Sequence, residues 1–125
     1  MAKYTFVVLT NPTPGKEAEY NDWYNKIHIP DVLNVKGMVG AQRFKLADTQ
    51  MGPAPAHRYL AIYEIETDNL QETFDDLKSR SGTEDMVLTD AIDLKGVMAA
   101  VFTPAAEKVW AKDVQRPRRA AAKAA

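Results

Sequence analysis

An α+β fold with the element order β-α-β-β-α-β is expected for this chain, and three observations predict it. Runs rich in β-branched and aromatic residues recur at 3–10, 38–47, 57–67 and 96–104 and read as strands. Two stretches, one starting near Pro14 and one near Asn69, carry apolar residues at helical spacing. The strands are apolar on both of their alternating sets, more than a sheet with one wetted face requires. The order is the ferredoxin-like one, a four-stranded antiparallel sheet with two helices on one face.

KYTFVVLT (3–10) is the first strand, and the turn cluster NPTPG breaks it. Thr13 is a candidate cap and Pro14 suits a first helical position, so a helix is expected from about Pro14 or Gly15 to His28. Tyr20, Trp23, Tyr24 and Ile27 follow the i, i+3, i+4, i+7 rule, leaving Glu17, Asn21, Asp22, Asn25 and Lys26 to water. Pro30 disfavours the α conformation at Ile29, so the helix is expected to stop or kink there. MVGAQRFKLA (38–47) is the second strand, and DTQMGPAPA a loop. In HRYLAIYEIET (57–67) alternation puts His57, Tyr59, Ala61, Tyr63 and Ile65 on one face. Asp68 or Asn69 caps a second helix holding Leu70, Phe74 and Leu77, which Ser81-Gly82 ends. A segment with a helical turn, TEDMVLTDAID, leads to the last strand, GVMAAVFTP (96–104).

Apolar residues on both sheet faces imply a cover for the face without helices. With no further element left over, a second copy of the chain is the economical one, giving a homodimer with sheets packed face to face. The domain is expected over 1–104, followed by a basic, alanine-rich tail over 105–125. That tail has two readings: a fraying terminus, or an arm that docks Trp110 on the partner and leaves the arginines of RPRR free.

Composition narrows the function classes. A chain of 125 residues, 46% hydrophobic and 26% charged, is sized for one domain with an adequate core. Having no cysteine, it is without thiolate catalysis or Cys-ligated zinc and is compatible with a reducing compartment, hence a cytoplasmic expectation. A net charge of −1 gives no global attraction for nucleic acid, and the apolar runs are too short for a membrane span or a signal-peptide core. His28 and His57 stand without carboxylates at ligand spacing, so no metal site is expected, and no phosphate loop or dinucleotide fingerprint is present.

The run GKEAEYNDWYNKIHIPDVLNVKGMVGAQRF resembles the first helix and second strand of the EthD-like group within the dimeric α+β-barrel superfamily. Trp23, Tyr24, His28 and Pro30 carry the resemblance, with Gly37, Gly40 and GTEDMVLTDAID adding to it. Tyr24 stands where some members have a second histidine. The resemblance implies a dimer more firmly than an activity, since the superfamily includes cyclases, isomerases, lyases, dehydratases, heme-using monooxygenases and proteins of no known activity. In its cofactor-free enzymes the pocket lies between helices and sheet, and a histidine with tyrosines transfers protons.

His28 is therefore read either as the proton-transfer group, oriented by Asp31, or as a side chain capping the last helical carbonyls before Pro30. His57 is a second candidate, or an exposed residue at a strand start. Tyr59 and Tyr63 are candidates to hold a developing oxyanion, or core or interface packing. Trp23, Tyr24 and Tyr4 would line a substrate or fill the core, and Arg43 would meet a substrate carboxylate or an interface acid. The leading expectation is a small lyase or isomerase, needing no cofactor, for a hydrophobic aromatic or carbonyl-bearing metabolite. A non-catalytic dimer that binds a small ligand is the alternative, and a heme-dependent monooxygenase ranks third.

Overall fold

The structure is a computed structural model that describes residues 1–115. The arginines of RPRR lie outside the described residues. Strands β1 (Ala2–Thr10), β2 (Met38–Lys45), β3 (Tyr59–Thr67) and β4 (Met98–Phe102) form one antiparallel sheet in the order β2-β3-β1-β4, the ferredoxin-like topology. Helical segments connect β1 to β2 and β3 to β4.

The alternation in β3 sets the layers. Tyr59, Ala61, Tyr63 and Ile65 pair with Thr10, Val8, Phe6 and Tyr4 of β1, and all four are buried beneath the helices. The opposite face carries Val7, Leu9, Leu60 and Ile62, flanked by Met98 and Phe102 of β4 and by Phe44 of β2. None of these reaches the core. Met98 and Phe102 are 59% and 57% exposed, so this apolar face is bare in the single chain.

Helix α3 (Leu70–Arg80) begins as the sequence predicts: the Asn69 side chain accepts from the Glu72 N–H at 3.1 Å. Leu70, Phe74 and Leu77 pack on the core, and Gly82 at φ +82° follows the helix. Gly37, in the link to β2, is held at φ +98°, and a Cβ there would sit 2.8 Å from Thr73 Oγ1 on α3. Gly37→Ala is expected to cost about 1–3 kcal/mol by strain and crowding, read as a lower urea midpoint.

The first helical stretch departs from expectation in three ways. Thr13 does not cap it; its hydroxyl donates to the Asp90 carbonyl at 2.7 Å, and Pro14 and Gly15 belong to the preceding turn. Helix α1 spans Glu17–Trp23 with Lys16 before it and no side-chain cap. The helix also does not stop before Pro30. A π-helical turn, Tyr24–His28, follows α1, and α2 (Ile29–Leu33) continues from it with Pro30 near its start. Pro30 has no N–H, and its ring would press on the carbonyl of Lys26 in an unbroken α-helix. In the π turn the Ile29 N–H instead reaches back five residues to the Tyr24 carbonyl, accommodating the proline without ending the helix.

The extra residue in that turn rotates everything beyond it. In an unbroken helix Ile27 would follow Tyr20 and Trp23 into the core; here it is 43% exposed and His28 takes the inward place. The 83–93 segment, expected to hold a helical turn, is a series of turns, and a 3-10 turn comes later at Leu94–Gly96, capped by Asp93. This segment is tied to the NPTPG turn by Thr13 N–H to Ala91 O at 2.7 Å and by Lys16 to Asp90 at 2.8 Å. Residues 105–115 are exposed and irregular apart from a 3-10 turn at Ala111–Asp113, with the Lys108 ammonium 4.0 Å above the Trp110 ring. No helix among the described residues is long and apolar enough to cross a membrane.

Candidate functional site

The π turn delivers His28 into an aromatic cluster between helix and sheet. Its ring stacks on Trp23 with centroids 4.5 Å apart and meets Tyr24 edge-on at 5.2 Å. Trp23 is fixed from behind by its indole N–H, which donates to the Val87 carbonyl at 2.9 Å, so the 83–93 segment forms the outer wall. His28 does not cap a helix end: the helix runs on past it, and Nδ1 is buried with no hydrogen-bond partner among the described residues. Asp31 makes no hydrogen bond to the ring; it acts only through its charge, favouring protonation. Burial outweighs that, with Arg43 adding a small opposing push, and brings the imidazole pKa down to about 4. At neutral pH the ring is uncharged.

Tyr63 is the second polar group left without a partner. It rises from the middle of β3 against Phe6, 5.9 Å between centroids, and its hydroxyl is buried and unbonded among the described residues. Burial drives its pKa far above that of an ordinary phenol, and the nearby Tyr24 adds to the effect. Tyr63 is therefore a neutral phenol with the Tyr24 hydroxyl as a polar neighbour, though the two make no well-formed hydrogen bond. Tyr24 bridges the two orphans: it touches His28 and Trp23, packs edge-on against Tyr20 at 5.4 Å, and has its own pKa raised mainly by burial.

Arg43 of β2 reaches over this cluster from the sheet edge. Its guanidinium carbon lies 4.2 Å from the Tyr24 ring centroid and 5.2 and 5.3 Å from those of Tyr20 and Tyr59. Nη1 donates to Asn25 Oδ1 at 2.7 Å and Nη2 to Asn21 Oδ1 at 3.0 Å. The chain of bonds continues outward, with Asn21 Nδ2 donating to Tyr59 Oη at 3.1 Å and Tyr59 donating to Glu17 Oε2 at 2.7 Å. Arg58 closes it on Glu17 at 2.9 Å. The Tyr59 bond, with Arg58 assisting, holds the Glu17 carboxyl below the usual carboxylate range. Beside Arg43 a shallow depression of about 300 Å³ opens between helix and sheet edge, lined by Asn25, Ile29, Ala41, Gln42 and Arg43.

The structure thus gathers His28, Trp23, Tyr24, Tyr63, Tyr59 and Arg43 between the first helical stretch and the sheet. His57 is elsewhere: its Nε2 bonds to the Gly96 carbonyl at 2.5 Å, tying the entry of β3 to the approach of β4. Tyr4 is half-buried at the end of β1 away from Tyr59, opposite Ile65. Tyr59 faces the helices as expected, but its hydroxyl is spent on Glu17 and Asn21.

Three participants escaped the sequence reading as site residues. Asn21 and Asn25 were assigned to water, yet both grip Arg43; their i, i+4 spacing on one helix face was the available signal. Tyr20 is fully buried with its hydroxyl bonded to Thr10 Oγ1, a pairing between distant elements that no local pattern announces. Among the described residues no group of three or more His, Cys, Asp or Glu is placed to hold a metal ion.

The fold is that of the EthD-like proteins, a small α+β class. It is similar to the crystal structure of an EthD-like protein from Ralstonia eutropha JMP134, with a TM-score of 0.56 at 14% identity, covering 86% of this chain and 96% of the other. A family protein of the same kind from Bacillus halodurans C-125 aligns with a TM-score of 0.47 at 11% identity, over 83% of this chain and 99% of that one. No protein-family model and no curated protein matches the chain.

Proposed function

We propose that the chain is an EthD-like protein that acts as a cofactor-independent lyase or isomerase on a small hydrophobic, aromatic or carbonyl-bearing metabolite. The observation that carries this reading is the pair of buried polar atoms, His28 Nδ1 and Tyr63 Oη, which make no well-formed hydrogen bond among the described residues and both neighbour Tyr24. Leaving such a group unpaired costs about 1–3 kcal/mol, which a bound polar substrate would return by supplying the missing partners. Tyr63, held neutral, donates to a substrate carbonyl and to the oxyanion that develops on it. His28, uncharged at neutral pH, takes the proton from the adjacent carbon and returns it at the product position. Trp23 and Tyr24 hold the ring of the substrate by stacking.

The reading includes a homodimer that buries the bare sheet faces against each other. A non-catalytic ligand-binding dimer is favoured by one observation, the close stacking of His28 on Trp23. A turnover screen over carbonyl-bearing aromatic metabolites separates the two. His28→Ala is expected to abolish turnover of whichever compound the wild type converts, by at least about a hundredfold, with an unchanged near-ultraviolet circular dichroism spectrum. Full activity in that variant would reduce His28 to packing.

A further inference from the structure

Arg43 is treated differently from the other arginines that form ion pairs. Arg58 is matched to Glu17 at 2.9 Å and Arg80 to Asp76 at 3.0 Å. Arg43, half-buried against three tyrosine rings, has no carboxylate within salt-bridge distance among the described residues. Its partners are the two amide oxygens of Asn21 and Asn25. Amides orient a guanidinium without cancelling its charge; an aspartate at either position would have done both. The nearest acid in the network, Glu17, is reached only through Tyr59 and Asn21 and is already engaged by Arg58.

A guanidinium has five N–H donors in a planar fork. The two amides take one on each terminal nitrogen, so the fork keeps donors for a planar, two-oxygen anion. The depression beside it has the matching composition: Arg43 and Asn25 are polar, Ile29 and Ala41 apolar, and Gln42 of the edge strand completes the lining. Its volume of about 300 Å³ is at the small end of ligand sites, suited to a compound with one ring or a short chain.

We infer that Arg43, held by Asn21 and Asn25, is the receptor for a carboxylate, and that the ligand of this site is a small carboxylic acid with an apolar body lying on Ile29 and Ala41. The inference rests on the functional reading above in placing the substrate between the first helical stretch and the sheet, and it narrows the substrate class from carbonyl-bearing compounds to acids. The fork fixes the acid end, and the apolar remainder lies on Ile29 and Ala41. Two carboxylate oxygens in the plane of the guanidinium restore the charge balance that the amides leave open.

The test needs no turnover. The full chain is titrated with phenylacetate and with its neutral isostere phenylacetamide, followed by calorimetry and by NMR of the Asn21 and Asn25 side-chain amides. Phenylacetate is expected to bind at least about tenfold more tightly and to shift both amides, since a charge-assisted pair outweighs a neutral one. Arg43→Gln is expected to erase that preference. Asn25→Asp, which leaves Arg43 in place and sets a carboxylate against it at an exposed position, is expected to erase it as well, so the outcome does not depend on Arg43→Gln folding. Equal affinity for acid and amide, persistence of the preference in Asn25→Asp, or no binding of either probe would overturn the inference. An inactive His28→Ala that still prefers phenylacetate would separate the two proposals. So would an active enzyme that binds both probes alike.

Discussion

Between pH 6.5 and about pH 4 the protein is expected to lose about 3 kcal/mol of folding stability through His28, a share that His28→Gln does not lose. Burial holds the folded-state pKa at about 4, below the ordinary value of 6.5 for an imidazole in the unfolded chain. As the pH falls through that window the unfolded chain takes up the proton and the folded one resists it. Stability therefore stays whole above the upper limit, drains within the window, and stops falling on this account below the lower one. Glu17 and Asp90, whose carboxyls are also held low, add a decline with the same sign, but it is common to both proteins and cancels in the difference. Urea unfolding of wild type and variant at intervals across the window measures it. Parallel curves would mean that the ring is open to water in solution. The same burial makes a sharp NMR prediction: the His28 ring signals stay at their neutral shifts well below the pH at which a free imidazole has titrated.

The largest change in molecular size is expected from one substitution on the bare sheet face. Light scattering of the wild type should give about twice the 13.9 kDa chain mass at roughly 10 µM protein, a concentration at which a standard-size interface is formed. Phe102→Asp should return the mass to that of one chain. Phe102 lies on β4 opposite Thr5 of β1, 57% exposed, on the face away from the helices. In a two-fold dimer its loss is felt twice, about 2 kcal/mol per ring, and each new carboxylate must also shed water. Association should weaken by at least about three orders of magnitude. Because the position is on the open face, the folded monomer should survive the change. A wild type that is monomeric under these conditions, or a Phe102→Asp protein still of double mass, would remove the dimer from the reading.

What could be read from the sequence was whatever follows a short period or a single local contact. The alternation of Tyr59, Ala61, Tyr63 and Ile65 named the buried face of β3, because each pleat decides its side independently of the rest of the chain. The Asn69 cap was legible for the same reason, a side chain reaching a backbone N–H three residues away. Thr13 fits the same local template and failed because a distant segment, at Asp90, offered its hydroxyl a better partner. The site was legible in membership more than in arrangement. His28, Trp23, Tyr24 and Tyr63 were candidates, but the clamp on Arg43 depends on β2 running beside the helix, which no window of neighbouring residues contains. His57 matched the alternation of its strand and still went to a backbone carbonyl across the sheet end.

The π turn has a further consequence for how relatives should be compared with this chain. His28 stands five positions after Trp23, yet it occupies the place that an uninterrupted helix gives to the fourth. A relative lacking the extra residue would carry its equivalent side chain one position earlier in the sequence. An ungapped alignment through this helix would then set His28 against a residue that faces water, and a histidine in the equivalent place would be scored as missing. A single gap between Tyr24 and His28 is the correction, so the histidine's presence across the class is better judged by superposing rings than by counting letters.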